Sequence, residues 1–467
     1  TSPGGCSPPL GYINRLNKNF LGKIVMKLDN VQKRDSEIIN NSRFVNKGLL
    51  EEYSSSSIRY CINRLKKYDF FDPSTYETMN PDIIGKNVFT EDHAVMYGFA
   101  EGREILSKRK IVSFLGKEFR KNCNYEITNK KTNKKNPSFV GVFYHSKGNF
   151  YIAQLAYDLH KYLESSGVNS VLMTEKDRSE VDLCIFCGPH EFFFLGAENY
   201  WKKDEIISRS IMFNTEQVQT IWFTRGLIYI LMSAAVIDVC FQNLASFSKV
   251  GLTTFHFDPQ QKLTKSTLPL LDRENPLIYA LPSDVQGQLS SLTPFMNRSI
   301  DVSFFGNKSV TREEFFVRNA SFFAPYNTFF YYRKDEGLLC NKGVYGIFSR
   351  LPQHIAKASK IYLNIHQDNF PFFEWQRIVK QGLSSGSIVV SEECFPHPLY
   401  KAGVHFFEEN RRHIPNLVEW LIQSEDGKST ALEMQKNIFS TLRNINISKS
   451  KNLSLENFIS TVWSKVK

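Results

Sequence analysis

The sequence predicts an α/β protein: two Rossmann-like, doubly wound domains in series, preceded by a small helical module. Three observations carry that expectation. Short apolar runs recur along the chain, each followed by a small polar loop and an amphipathic helical stretch, the pattern of parallel sheets with crossover helices. A segment rich in Pro, Ser and Gln, 263–298, separates two such series and reads as a hinge region. Polar residues collect directly after the strands, at the edge where open parallel sheets receive ligands.

The chain has 467 residues, 42% of them hydrophobic and 14% aromatic, enough to fill two large cores. Residues 1–56 are polar and charged, with a weak helical pattern in KGLLEEY and the run Ser54–Ser57, and read as a flexible tail or linker. Their start, TSPGGCSPPLGYINR, lacks the cationic and apolar regions of a secretory signal. Residues 57–107 read as a compact helical module. Asp72-Pro73 supplies an N-cap and a first-turn proline, Asn80-Pro81-Asp82 ends one helix and opens a turn, and Phe89, Tyr97 and Phe99 are the expected apolar contacts.

The 58 Lys and Arg against 47 Asp and Glu leave +11, a balance that admits nucleic acid, an anionic membrane face or phosphorylated substrates. Much of the excess sits in 108–137, where TNKKTNKKNP reads as a solvated basic linker, so no nucleic-acid partner is expected. Eight Cys without regular spacing point to a reducing compartment and a cytoplasmic protein. Cys184 and Cys187 form a CxxC, but DLCIFCGP reads as a strand, which sends residues three apart to opposite faces and makes both small buried hydrophobes. The apolar run Leu227–Ile237, bounded by Arg225 and Asp238, is too short for a bilayer and reads as core.

Residues 138–262 form the first α/β series. Val140–Tyr144 is a buried strand, and His145-Ser146-Lys147-Gly148-Asn149 a small polar loop. Ile152, Leu155, Ala156, Leu159 and Leu163 form a helical stripe before Gly167, and Ser170–Met173 is the next strand. Val181–Cys187, Ser210–Phe213 and Val236–Cys240 repeat the theme. The second series, 299–425, opens with a strand at Asp301–Gly306, a helix from about Arg312 and a strand around Ser321–Ala324. Strand Ile361–Ile365 then delivers Asn364 and His366 to its carboxyl end, Glu374 and Arg377 share the first turn of the following helix, and Gly386 closes that helix before Ile388–Val390. Residues 426–467 are helical and are expected to cross back to the first domain.

Two resemblances attach to these residues. Phe71-Asp72-Pro73, Tyr76, Asn80-Pro81-Asp82, His93, Tyr97-Gly98 and Glu101-Gly102-Arg103 resemble a short segment attached to many bacterial polysaccharide glycosyltransferases. Its polar residues are cap and turn formers, which suits docking or spacing. Residues from about 138 to 446, roughly two thirds of the chain, resemble a bacterial two-domain glycosyltransferase of the GT-B fold. The first domain carries Pro189-His190-Glu191-Phe192-Phe193 and Asn214-Thr215-Glu216-Gln217; the second carries Asn364, His366, Glu374, Arg377, Gly386 and Val389-Val390-Ser391-Glu392.

The resemblance implies that the second domain binds the nucleotide of an activated sugar and that Glu374 holds the ribose hydroxyls; a carboxylate accepts two hydrogen bonds from a vicinal diol. The alternative for Glu374 is to complement the helix dipole. Position 382 is Gly where more familiar relatives carry a second glutamate. Arg377 and His366 are candidates for the diphosphate, as are Gly306, Asn307, Lys308 and Arg312 after the first strand of that domain, although an ordinary turn or a local ion pair would use the same residues. Gly148 and Asn149 match the small-residue first loop of the fold. For the chemistry, Glu191 or His190 is the expected general base, with Glu216 orienting the acceptor and Phe192–Phe194 stacking on a sugar; the alternative is helix capping.

The implied function is sugar transfer from a nucleotide-activated donor to a glycan or lipid-linked glycan in bacterial surface polysaccharide synthesis. The nucleotide sugar is a substrate, no cofactor is implied, and without DxD spacing the expected transfer is metal-independent. The linker lysines can add peripheral contact with an inner membrane face or a biosynthetic complex. A nucleotide-sugar epimerase or hydrolase on the same fold, and a non-enzymatic nucleic-acid or scaffold protein, are the alternatives. Epimer or free sugar formed without acceptor, or salt-dependent nucleic-acid binding without nucleotide binding, would favour them.

Overall fold

The computed structural model describes residues 53–86, 88–118, 137–196, 200–258, 265–266, 281, 283–333, 351–367, 378–445 and 450–467. Two parallel sheets dominate it. The first comprises β1 (Val140–Tyr144), β2 (Ser170–Thr174), β3 (Leu183–Cys187), β4 (Ile211–Asn214), β5 (Ala235–Asp238) and β6 (Thr253–His256), in the order β2-β1-β3-β4-β5-β6. The second comprises β7 (Ile300–Asn307), β8 (Thr328–Arg333), β9 (Ser359–Asn364), β10 (Ile388–Ser391) and β11 (Phe407–Glu408), in the order β8-β7-β9-β10-β11. All of these pairings are parallel. Each sheet switches direction beside its first strand, as doubly wound domains do, and the two-domain α/β architecture is the one the sequence predicts.

The central strands are buried on both faces, so they read as unbroken apolar runs: β4, β5 and β10 have no exposed residue. Helix Phe150–Ser165 begins at the N-cap Asn149 and buries the stripe Ile152, Leu155, Ala156, Leu159 and Leu163. Helix Ile221–Met232 and β5 take up the Leu227–Ile237 run as core. Cys184 and Cys187 lie in β3 as free thiols, and burial pushes that of Cys184 up to about 12.

The expected strand at Ser321–Ala324 is wrong. Ala320–Phe323 is a helical turn, and the strand is β8, beginning at Thr328. Phenylalanines occur in both segments, so composition alone did not separate them; Phe316, Phe323 and Phe330 pack against one another across the helix and strand.

The helical module docks on the first domain. Arg64 Nη1 donates to the carbonyls of Leu231 and Ser233, both at 2.7 Å, Tyr68 stacks on Phe247, and Asp69 pairs with Lys249. Its motif residues bond to one another: Asp72 caps Thr75, Arg103 forks onto Asp82 at 2.6 and 2.8 Å, and Tyr76 meets His93 at 3.2 Å. Phe89, an expected core contact, is 75% exposed, and Tyr68, Phe70, Phe71 and Tyr76 fill that core instead. The helix Ser450–Val466 lies against the first domain, with Phe458 on Phe255 and Lys465 donating to Thr253. Among the described residues, no helix is long and apolar enough to cross a membrane.

Candidate active site

The carboxyl edges of the two sheets meet. Gln242, after β5, donates to the Pro396 carbonyl after β10 at 2.8 Å. Asp258, after β6, pairs with Lys380 and lies 3.8 Å from His397, whose ring also approaches His256. The loops after β5 and β6 therefore reach the second domain's edge.

On the first edge, the loop after β1 is pinned by two buried carboxylates. Glu175, just beyond β2, accepts from Ser146 N and Oγ at 2.7 and 2.6 Å, and Glu191 Oε2 accepts from Asn149 N at 2.7 Å. Gly148 is required by this packing, because a Cβ there would stand 2.5 Å from Glu191 Oε2. Gly148, Asn149 and Glu191 are thus brought together.

The orientation of the Pro189–Phe194 segment is different. Gly188 adopts φ 60° and turns the chain into a short helix, Pro189–Phe192, that folds back over the sheet. His190 and Glu191 are buried rather than emerging into the cleft, at 3% and 4% exposure. Phe192 and Phe193 pack on Phe186 and are core side chains, not sugar platforms. Glu216, after β4, retains solvent access with a side chain 26% exposed, and its Oε1 lies 3.5 Å from His190 Nε2. Asn214 shapes this loop: its Nδ2 donates to the Glu216 carbonyl and to Asp238 Oδ2, both at 2.9 Å, and its Oδ1 accepts from Glu216 N.

Burial sets the charge states. It pushes the Glu191 carboxyl up to about 8, against the stabilising Asn149 N–H and with some help from the Glu216 charge. It brings the His190 imidazolium down to about 3, with the positive Arg225 adding to the effect. Asp238 rises to about 7, for burial again outweighs its hydrogen bonds from Cys240, Asn214 and Asn243. At neutral pH the cluster therefore holds a protonated Glu191 and a neutral His190.

A stability signature follows for Glu191. Its folded pKa lies above the unfolded value, so its favourable contribution is complete below about pH 4.5 and is lost as pH rises to about 8. Glu191→Gln should gain on wild type in melting temperature between pH 5 and pH 8.5. A constant difference across those melts would contradict a protonated Glu191.

The second edge is built around backbone. Gly306 and Asn307, expected in a loop, are the last residues of β7 and pair with Tyr332 and Arg333 of β8. Arg312 is 2% exposed; its Nε donates to the Ile365 carbonyl at 2.8 Å and its Nη1 to the Asn307 carbonyl at 2.9 Å, so it braces the end of β7 against the end of β9. Lys308 pairs with Glu313 at 2.9 Å. Asn364 is buried and donates to Ser391 Oγ at 2.8 Å. Glu392 Oε2 accepts from His366 N at 2.6 Å and Oε1 from Arg411 Nε at 2.6 Å, while His366 Nε2 meets the Glu393 carbonyl at 2.9 Å. Asn364 Oδ1 and His366 Nδ1 are buried without a partner among the described residues. Glu374 and Arg377 lie outside the described residues.

Sequence reasoning missed three members of the first edge: Asp238, Trp222 and Arg225. Arg225 had a visible signal, as the one charge within the apolar helix Ile221–Met232. Among the described residues, no three His, Cys, Asp or Glu side chains gather to hold a metal ion.

No family model matches the sequence, and no curated protein matches it significantly. Solved structures do resemble it in part. Anabaena HepE in complex with UDP and glucose is 10% identical, with 66% of this chain and 95% of that chain covered at a TM-score of 0.38. An alpha-glucosyltransferase in complex with UDP and a 13-mer DNA is 8% identical, over 69% of this chain and 100% of that chain, at 0.41. An alpha1,3-fucosyltransferase with GDP is 11% identical, over 72% and 96%, at 0.35.

Proposed function

We propose that the chain is a glycosyltransferase that moves a sugar from a nucleotide-activated donor to a hydroxyl of a glycan or lipid-linked glycan acceptor. The observation that carries this reading is the part-exposed Glu216 carboxylate. It stands 3.5 Å from a buried His190, on a sheet edge that meets the edge of a second α/β domain. Two such edges provide separate seats for a donor and an acceptor, as group transfer between them requires.

Glu216 takes the role of general base in place of Glu191 or His190. A carboxyl that titrates near 8 is already protonated at neutral pH, and an imidazole that titrates near 3 is a poor proton acceptor. Glu216 accepts the acceptor hydroxyl proton as that oxygen bonds to the anomeric carbon; the bond from carbon to phosphate oxygen breaks, and its electron pair leaves with the nucleoside diphosphate. His190, neutral, orients the carboxylate. Glu191 holds the Gly148-Asn149 loop, which shapes the acceptor side.

On the donor side, Asn307 at the end of β7 and Lys308 just beyond it offer an amide and a cation to the diphosphate, with Gly306 before them and Arg312 bracing the strand end. Asn364 Oδ1 and His366 Nδ1 are polar atoms left for a ligand. Glu374 for the ribose and Arg377 for the diphosphate complete the proposal. We further assign the reaction to bacterial cell-surface polysaccharide assembly in the cytoplasm, at the inner membrane face, without a divalent cation. The basic linker and the FDP-to-EGR module support that assignment.

The test is a panel of UDP-, GDP-, dTDP-, ADP- and CMP-linked sugars incubated with and without glycan acceptors in EDTA. One donor should be consumed in an acceptor-dependent way. Epimer or free sugar formed equally without acceptor would establish the epimerase or hydrolase instead.

A further inference from the structure

Arg225 is a cation close enough to His190 to act on its charge, and among the described residues it is paired with no carboxylate. Its Cζ lies 4.4 Å from the Phe194 ring centroid and 4.8 Å from that of Trp222, so two aromatic faces grip the guanidinium. Trp222 in turn packs on the His190 ring, with centroids 6.1 Å apart. The following residue, Gly226, lets the helix lie so close to the His190 turn that a Cβ there would be 3.3 Å from His190 N. Arg225 is therefore fixed relative to His190 and Glu216. Among the described residues, its guanidinium has no carboxylate or hydrogen-bond acceptor. It is half-buried, and burial lowers its pKa. Partly desolvated arginines are normally paired, because the fork of five donors is costly to strip of water without acceptors.

Resting on the glycosyltransferase reading, we propose that Arg225 is the anion receptor of the acceptor subsite, so that the natural acceptor carries a carboxylate or phosphate group close to the hydroxyl that is glycosylated. The aromatic rings hold the guanidinium without using its N–H donors, which leaves the fork open for a bidentate anion. Its place on the first domain, held by the Trp222 ring that packs on His190, assigns it to the acceptor rather than to the donor diphosphate. A uronic acid residue and a lipid-linked sugar diphosphate share this chemistry.

The test uses the full chain and three probes: methyl β-glucuronide, an N-acetylglucosaminyl isoprenyl diphosphate of short chain length in micelles, and neutral methyl β-glucoside. Binding is measured by titration for wild type, Arg225→Gln and Arg225→Lys, with UDP, GDP, dTDP, ADP and CMP titrated in parallel. One anionic probe should bind wild type about tenfold or more tightly than the neutral one. Which anionic probe wins identifies the source of the charge. Arg225→Gln should abolish the preference and Arg225→Lys should keep part of it, with nucleotide affinity and melting temperature unchanged.

Equal binding of anionic and neutral probes by wild type, or a preference that survives in Arg225→Gln, would overturn the proposal. Absence of binding by both anionic probes, or loss of nucleotide binding in Arg225→Gln, would overturn it too. If no nucleotide binds wild type, the transferase reading itself fails, a result distinct from bound nucleotide without anion preference.

Discussion

Glu216→Gln should lower acceptor-dependent turnover by about 10²- to 10⁴-fold, the range by which a positioned general base accelerates proton transfer. Glutamine keeps the shape and the Asn214 contacts, which run through the Glu216 backbone, so melting temperature and donor KM should hold. The loss belongs in kcat, because the carboxylate acts on a proton that moves only in the transition state. His190 supplies an internal control. If the imidazole works only by orienting Glu216, adding His190→Gln to Glu216→Gln should cost less than the two single losses combined. Turnover within tenfold of wild type in Glu216→Gln would remove Glu216 as the base.

The largest stability effect is expected at Arg298, far from any charge transfer. This arginine is 3% exposed and donates to five backbone carbonyls: Thr293 at 3.1 Å, Ala356 at 3.1 Å, Ser359 at 3.0 Å, Ser291 at 3.1 Å and Ser385 at 3.0 Å. Those carbonyls belong to the chain entering the second domain, to the end of helix Leu351–Ala358 and to the end of helix Lys380–Ser384. One side chain thus answers acceptors that helix ends leave open. Burial pulls its pKa down to about 9, so the cation persists at neutral pH among carbonyl dipoles. Arg298→Met fills most of the volume but leaves these carbonyls dry and unpaired. The cost should be about 3–5 kcal/mol, the penalty for breaking a buried charged network. A fall of roughly 10 °C in the melting temperature of the second domain corresponds to it. A calorimetric shift under about 2 °C would contradict that accounting.

The strands were legible wherever both sheet faces are buried. Val140–Tyr144 and Ile388–Val390 have no polar interruption, and each was read within a residue or two of its observed bounds. Ser321–Ala324 was misread because short apolar runs carry no period that separates a helical turn from a strand. Thr253–His256 and Phe407–Glu408 are too short to show alternation. The proximity of Gly148, Asn149, His190, Glu191 and Glu216 was legible for a topological reason: parallel strands bring all their following loops to one edge. Exposure was not. It depends on the left-handed turn at Gly188, which folds the next residues inward, and on distant rings that cover them. Arg225 was read only as the flank of an apolar run, since its aromatic grip joins residues thirty-one and three positions away along the chain.

The central claim, a two-edged cleft that binds an activated sugar nucleotide, is tested most directly by nucleotide binding to the intact chain. Calorimetric titration with UDP, GDP, dTDP, ADP and CMP should find one nucleotide that binds in the micromolar range, with affinity reduced at least about tenfold by Glu374→Ala through loss of the ribose contact. Failure of all five to bind would contradict the account.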